Sequence, residues 1–199
     1  MVASTGIDQG VLDSVVSERT PGWVDVVTVI TDSGGTIAVW IASAVIVTTF
    51  LLRGDRGSAW FVAGVMLSGW ALSSGLKLLF ARERPPIPLR LVEISSYSFP
   101  SGHAMMTSMF VCVVGVLLAR MALPVTVRAS AYVCLGLYTL AVGSSRIYLA
   151  AHWTTDVVAG WVLGALWVAV CVAALRQTRP CWAPRSPRRA ERRWARNRA

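Results

Sequence analysis

The sequence predicts an all-α protein, an integral-membrane helical bundle with about five transmembrane helices and an N-terminal interfacial helix. Hydrophobic residues make up 55% of its 199 residues, more than soluble globular domains contain. They are gathered in runs close to the length of about 20 residues that a helix needs to cross a bilayer. A soluble protein of this length would have too few amphipathic helices to surround five helices that are apolar on every side.

Five apolar runs account for the predicted spans. The first covers residues 36–52, near the minimum length, and the second covers 58–80. The third follows Pro100 and continues to Leu118, the fourth covers 129–145 and the fifth covers 157–175. A shorter apolar segment, 24–30, contains Asp25 and is interpreted as the interfacial helix; counting it as a span would give six.

Charge divides the chain into three regions and predicts its orientation. Residues 1–35 form an acidic N-terminal segment, 36–176 the membrane domain, and 177–199 a basic tail that we expect to be disordered. The net charge is +9, and nearly half of the Lys and Arg residues lie from Arg176 onward. Such a tail favours anionic membrane lipid over nucleic acid, and it marks the cytoplasmic side. The loops of Arg53 and Arg120 are then cytoplasmic, and the N-terminal segment is extracytoplasmic.

The first polar motif lies at the end of the second span, on the predicted extracytoplasmic side. Lys77 stands inside the last turns of an apolar helix, where a cation needs a partner or must reach the interface. Arg84 follows seven residues later and Pro85 ends the helix, so both cations can converge on one anion. Arg82 has three open interpretations: contact with substrate, pairing with Glu83, or exposure to water.

The second motif, Pro100-Ser101-Gly102-His103, comes directly before the third span. Serine favours a helix cap, and glycine lets the backbone approach a ligand closely. The N–H groups at a helix start bind phosphate well, and His103 in the first turn would point at the anion. Taken alone, the motif also fits an ordinary helix cap with a surface histidine.

The third motif contains Arg146, His152 and Asp156, between the fourth and fifth spans. His152 and Asp156 are four residues apart, so the carboxylate can orient the imidazole if one helix runs through both. Arg146 offers a planar fork suited to phosphate oxygens. Two alternatives stay open: Asp156 caps the helix, or it pairs with Arg146.

The chain has two histidines, and each lies in one of these motifs. Two imidazoles can share phosphoryl transfer, one as the nucleophile and the other as the acid that protonates the departing oxygen. The surrounding cations would stabilise the charge of the transferred group.

The three motifs together resemble those of the type 2 phosphatidic acid phosphatase family. Its pattern is lysine with Arg-Pro after six intervening residues, then Pro-Ser-Gly-His, then Ser-Arg followed by histidine and aspartate, and every position is present here. The resemblance implies that His152 is the nucleophile, that Asp156 orients it and that His103 is the general acid. It also implies that phosphate binds to five residues, and it implies no metal and no cofactor. Those five are Lys77, Arg84, Ser101, Gly102 and Arg146.

The expected activity is hydrolysis of a lipid phosphate or diphosphate by an outward-facing site in the cell membrane. Polyprenyl diphosphate is the preferred substrate, with phosphatidate and phosphatidylglycerol phosphate as the other candidates. The alternative is a catalytically silent membrane protein that binds anionic lipid or a partner through its basic tail. The sequence does not predict the oligomeric state.

Overall fold

The computed structural model describes residues 4–178, and in that range every regular element is a helix. The chain divides into two compact units, Met1–Val168 and Ala169–Ala199, and every residue of the candidate site belongs to the first. The prediction of an all-α protein is confirmed. Apart from its first residues, the predicted tail 177–199 lies outside the described range, so its disorder and its position stay predictions.

Seven α-helices and one short 3-10 helix make up the described chain. They are α1 (Gly6–Ser17), α2 (Pro21–Ser33), α3 (Thr36–Leu52), α4 (Arg56–Phe80), the 3-10 helix Ile87–Leu89, α5 (Gly102–Ala119), α6 (Val125–Tyr148) and α7 (Thr154–Thr178).

The number of spans agrees with the prediction. Within residues 4–178, the helices α4, α5, α6 and α7 are each long and apolar enough to cross a membrane. Helices α2 and α3 pass the same test together, bent by 40° at the break between them, which gives up to five spans. Residues 24–30 therefore belong to a helix, as predicted, and its place at the interface stays a prediction.

The end of α4 differs from the sequence interpretation. The helix ends at Phe80, five residues before Pro85, because Ala81 adopts a left-handed conformation with φ of 42°. Ala150, inside the third motif and two residues before His152, has a φ of 49°. Non-glycine residues avoid this region unless surrounding structure holds them there. Both chain reversals therefore stand beside motif residues, Arg82 and His152.

The antiparallel order of the helices brings the three motifs to one end of the bundle. Lys77 is in the last turn of α4, His103 in the first turn of α5, Arg146 in the last turn of α6, and Asp156 in the first turn of α7. At the opposite end, Arg120 after α5 donates to the Ser58 hydroxyl in the first turn of α4 at 3.0 Å. The loops that carry the predicted cytoplasmic cations thus lie away from the motifs.

Two glycines bring α7 directly against α5. A Cβ added at Gly160 would lie 2.9 Å from the carbonyl oxygen of Ser101, and one at Gly164 would lie 2.6 Å from that of Met105. Small residues four apart allow the backbones of membrane helices to approach closely. The second and third motifs are therefore carried by helices in backbone contact.

Helix α1 was not predicted from the sequence. Thr5 caps it: the Thr5 hydroxyl accepts from the Asp8 N–H, and the Asp8 carboxylate accepts from the Thr5 N–H. Leu12 of α1 is buried against Ala150 and Trp153 beside the third motif. The N-terminal segment is thus packed on the motif end of the bundle.

Helix α6 exposes large apolar side chains along much of its length. These include Val125, Val127, Tyr132, Val133, Leu137 and Leu140. An apolar surface of this kind is stable against lipid and unfavourable in water.

Candidate active site

Lys77 turns inward to the loop that precedes α5. Its Nζ donates to the carbonyl oxygens of Tyr97, at 2.8 Å, and Pro100, at 2.9 Å. A Cβ built on Gly102 would lie 3.8 Å from Lys77 Cε, so the lysine stem passes beside the start of α5. Lys77 therefore binds protein partners and does not extend to the membrane interface.

Arg84 lies against the imidazole of His152. Its Nη1 is 3.0 Å from His152 Nε2 and donates to the carbonyl oxygen of Ala151 at 2.6 Å. The remaining guanidinium nitrogens donate to Ser96 and Tyr97, which fixes the plane of the group. Burial, followed by the charge of Arg146 and that of Arg90, lowers the pKa of Arg84 to about 10. The guanidinium therefore keeps its charge at neutral pH.

The Pro-Ser-Gly-His motif forms the start of α5, as predicted. Ser101 is the N-cap residue, but its side chain makes no capping hydrogen bond. Its Oγ is buried without a hydrogen-bond partner among the described residues. The first N–H groups of a helix have no partner within the helix, so this end offers donors for an anion.

His152 lies in the turn between α6 and α7, and its side chain is 3% exposed. Helix α7 begins at Thr154, so the condition that one helix runs through His152 and Asp156 is not met. The two side chains still meet, with Nδ1 3.7 Å from Asp156 Oδ2. The Ser98 hydroxyl lies between them, 3.4 Å from Nδ1 and 2.5 Å from Oδ2.

The partners of the His152 ring indicate its tautomer. Burial lowers the pKa of His152 well below 6.5; the bond to Asp156 opposes this shift, and three nearby cations, Arg84 first among them, add to it. The ring is therefore neutral at neutral pH. Because guanidinium can only donate, Nε2 is the acceptor facing Arg84, and the proton resides on Nδ1, towards Asp156.

Asp156 is fully buried and takes part in both capping and pairing. Its Oδ2 accepts from the N–H of Trp153 at 3.0 Å, which caps the start of α7. Its Oδ1 accepts from Arg82 Nη1 at 2.5 Å. The alternative of an Arg146–Asp156 pair is not what the structure contains, because Arg82 occupies this position.

Arg146 is buried on α6 and donates from Nη1 to the Thr31 hydroxyl of α2 at 2.8 Å. Its Nε has no hydrogen-bond partner among the described residues. The Arg146 carbonyl oxygen accepts from the N–H groups of Ala151, at 3.0 Å, and His152, at 3.3 Å. The residue thus shapes the turn that carries His152.

His103, in the first turn of α5, lies close to the turn between α2 and α3. A Cβ on Gly35, in the turn between α2 and α3, would be 3.7 Å from His103 Nε2. Electrostatic interactions connect Lys77, Arg84 and Arg146 with both His103 and His152. The structure therefore gathers the predicted site residues from all three motifs around one group of cations.

Four residues near the site were missed or misjudged from the sequence. Arg82 is buried and pairs with Asp8 and Asp156, so pairing with Glu83 and exposure to water are wrong, and its third alternative, contact with substrate, stays a prediction. Ser98, Thr31 and Asp8 received no site role. The spacing of Thr5 and Asp8, typical of a capping box, was the available signal for α1.

A metal site in a protein usually needs several His, Cys, Asp or Glu side chains that meet at one point. Within residues 4–178, no group of three or more of them lies together. The expected absence of a metal stays a prediction.

Comparison with known proteins gives a family match over most of the membrane domain. The model of the PAP2 superfamily matches residues 58–188. Phosphatidylglycerophosphatase B of Bacillus subtilis is 38% identical over 97 residues, which are 48% of this chain and 47% of that protein. Undecaprenyl-diphosphatase of Sulfolobus acidocaldarius is 29% identical over 109 residues, which are 52% of this chain and 48% of that protein. The chain thus spans about half the length of these relatives.

Two solved structures have a similar fold. The transmembrane PAP2 type phosphatidylglycerolphosphate phosphatase from Bacillus subtilis matches with a TM-score of 0.77 and 28% identity, over 86% of each chain. LpxE of Aquifex aeolicus matches with a TM-score of 0.69 and 20% identity, over 87% of this chain and 99% of that one, and it supports the fold alone.

Proposed function

Because the chain belongs to the PAP2 superfamily, we propose that it is an integral-membrane phosphatase that hydrolyses a lipid phosphate or diphosphate through a phosphohistidine at His152. The observation that carries this proposal is the environment of one ring. His152 Nε2 faces the cation Arg84 at 3.0 Å, and Nδ1 faces Asp156. A neutral imidazole oriented in this way presents a lone pair where an anion would bind.

The phosphate site consists of donors with unused capacity. The Ser101 hydroxyl and Arg146 Nε are buried and lack partners among the described residues. Buried polar atoms are normally hydrogen-bonded, so these two donors are available to phosphate oxygens. Arg84 can transfer its contact from the imidazole to a phosphate oxygen, and the side chain of Lys77 passes beside Gly102, whose N–H is at the start of α5.

The reaction proceeds in two displacements. His152 Nε2 attacks phosphorus and the bond to the lipid oxygen breaks, while His103 gives that oxygen a proton. Asp156 stabilises the imidazole as it gains positive charge, and the cations stabilise the transferred phosphoryl group. Water then attacks phosphorus, His103 takes its proton, and the bond to Nε2 breaks to release inorganic phosphate.

We place the site on the extracytoplasmic side of the cell membrane, with the C-terminus in the cytoplasm. The support is the separation of the motif end from the basic end of the bundle, where Arg120 and Ser58 meet. An outward-facing site meets polyprenyl diphosphate after glycan transfer, which favours that lipid over phosphatidate and phosphatidylglycerol phosphate. The names of two relatives, phosphatidylglycerophosphatase B and undecaprenyl-diphosphatase, agree with a lipid phosphate or diphosphate as the substrate.

Phosphate release by the purified protein from these three lipids tests the proposal. At least one lipid is expected to be hydrolysed, and His152→Ala is expected to abolish turnover. With a terminally ³²P-labelled substrate and a rapid quench, label is expected on the wild-type chain, stable in alkali and lost in acid as phosphohistidine is. Release from none of the lipids, or equal release by His152→Ala, would overturn the proposal.

Truncation after Arg176 separates this function from binding through the basic tail. The shortened chain is expected to keep its phosphatase activity, because every proposed site residue lies before that point. Complete loss of activity in a folded truncated chain would instead support a function that resides in the tail.

A further inference from the structure

We propose that Asp8, in the N-terminal helix α1, is a positioning residue for the reaction: it holds Arg82, and Arg82 holds Asp156 in place to orient His152. This inference rests on the proposed function, because it assigns Asp8 a part in the chemistry of the same site.

One guanidinium joins the two carboxylates. Arg82 Nη2 donates to Asp8 Oδ2 at 2.7 Å, and Nη1 donates to Asp156 Oδ1 at 2.5 Å. The side chain of Arg82 is 2% exposed, and those of both aspartates are fully buried. A planar guanidinium bound at two ends has little rotational freedom, so the position of Asp8 determines where Nη1 meets Asp156.

Asp8 also holds the residue next to Asp156. The Thr155 N–H donates to Asp8 Oδ1 at 2.9 Å, and the Thr155 hydroxyl donates to both oxygens of the same carboxylate. An anion in this position is favourable at the N-terminus of α7. Asp8 thus constrains Asp156 by two routes, through the guanidinium and through the backbone of the first turn.

The charges of this cluster matter for the reaction. Asp8, Arg82 and Asp156 together carry a net charge of about −1 beside an imidazole that becomes positive during attack. Without Asp8, the pair Arg82–Asp156 would be neutral, and the imidazolium would lose stabilisation. Burial opposes ionisation of Asp8, but hydrogen bonds from Thr155, Thr5 and Arg82 outweigh it and lower its pKa to about 2. The negative charge is therefore present throughout the physiological pH range.

Asp8 stands apart from the motif residues in the chain. It lies 74 residues before Arg82 and outside the residues 58–188 that match the family model. The structure therefore gives the N-terminal segment a direct connection to the proposed catalytic carboxylate, beyond the packing of Leu12.

Asp8→Asn tests the inference, with Asp13→Asn as the matched control. Asp13 is an exposed aspartate on the same helix, so both variants remove one negative charge from α1. For Asp8→Asn we expect kcat to fall on the order of 10- to 100-fold while KM changes less than about threefold. The acid limb of kcat/KM should move to lower pH, because loss of a negative charge makes His152 harder to protonate. Asp13→Asn should leave kcat within about twofold and the acid limb in place.

Two further variants separate positioning from folding. Val16→Ala removes apolar packing of α1 against the Leu12–Ala150–Trp153 cluster and leaves the Asp8 carboxylate and its partners in place, so it should lower thermal stability and keep wild-type kcat and the wild-type acid limb. Asp8→Glu keeps the charge, so it should retain the wild-type acid limb and partly restore kcat. If Asp8→Asn does not fold, kcat of the folded Asp8→Glu variant tests the inference instead. A kcat below that of the wild type supports the positioning role, and a kcat equal to that of the wild type overturns it.

The outcomes distinguish the two proposals. An inactive wild-type protein means that the proposed function fails. An active wild-type protein whose Asp8→Asn variant matches Asp13→Asn in kcat and pH profile means that the positioning role fails. Loss of thermal stability in Asp8→Asn, with normal kcat per folded molecule, also overturns it.

Discussion

The two histidines of the site have contrasting surroundings. The His152 ring is buried and has a neighbour at each nitrogen, Arg84 at Nε2 and Ser98 with Asp156 at Nδ1. The His103 ring is partly exposed and has no hydrogen-bond partner within residues 4–178. A nucleophile must meet phosphorus along one direction, which requires a fixed ring, whereas an acid follows the leaving oxygen of the bound lipid. The difference in restraint agrees with the roles proposed for them.

Substitution of the restrained histidine should have the largest effect. His152→Asn is expected to lower kcat at least about 10⁴-fold, because the covalent route is lost. Phosphate release and ³²P labelling of the chain measure this, with thermal unfolding in detergent as the check on folding. Residual activity above one-hundredth of the wild-type rate would contradict the role of nucleophile.

The second histidine should show an effect that depends on the leaving group. For His103→Asn, we expect kcat on phosphatidate to fall about 10²- to 10⁴-fold, since an alkoxide needs a proton to depart. The loss should be about tenfold or less with 4-nitrophenyl phosphate, whose leaving group is stable as an anion. Equal losses with both substrates would remove the role of acid from His103.

Removing a neighbour of the restrained ring should have a moderate effect. Ser98→Ala deletes the hydroxyl between His152 Nδ1 and Asp156, and kcat should fall about tenfold. KM should stay within about twofold, because Ser98 is not among the proposed phosphate ligands. A change in KM alone would show that Ser98 acts on binding instead of on the ring.

The pH dependence should show the smallest effect. Because the pKa of His152 lies well below 6.5, its protonation should change kcat/KM by less than about twofold between pH 6.5 and 8. As the pH falls, His152 gains its proton in the unfolded chain before it does so in the folded chain. The free energy of unfolding should therefore decline as the pH falls below about 6.5. Measuring kcat/KM against pH with two substrates whose phosphate groups have different pKa values identifies any acid limb that comes from the substrate. An acid limb above pH 6.5 that is the same for both substrates would contradict a buried, neutral His152 ring.

Apolar runs were sufficient to predict the helices that can span a membrane, and short polar motifs named the residues of the candidate site. The run 36–52 coincides with α3, because it contains no proline, glycine or charged residue that would interrupt an apolar helix. Helix α1 is short and mixed in polarity, and its packing on Ala150 and Trp153 depends on tertiary structure.

The partners of Arg82 were beyond sequence reasoning for a similar reason. Its nearest acid in the chain is Glu83, yet its partners lie 74 residues away on either side, at Asp8 and Asp156. Local spacing predicts pairs within a helix or turn, and the bundle decides which distant charges meet. The same holds for Thr31, which reaches Arg146 because α2 packs on α6.

The glycine contacts between α5 and α7 limit how the proposed site can adapt to headgroups of different size. Since no methyl group fits at Gly160 or Gly164, these two helices cannot slide past each other without backbone collision. The Ser101 N–H is also bound to the Asp156 carbonyl oxygen at 3.0 Å, so the two chain segments share one rigid frame. Under the proposed function, accommodation of bulky or slender headgroups falls to the connection between α4 and α5, which carries Arg84 and has little regular structure of its own.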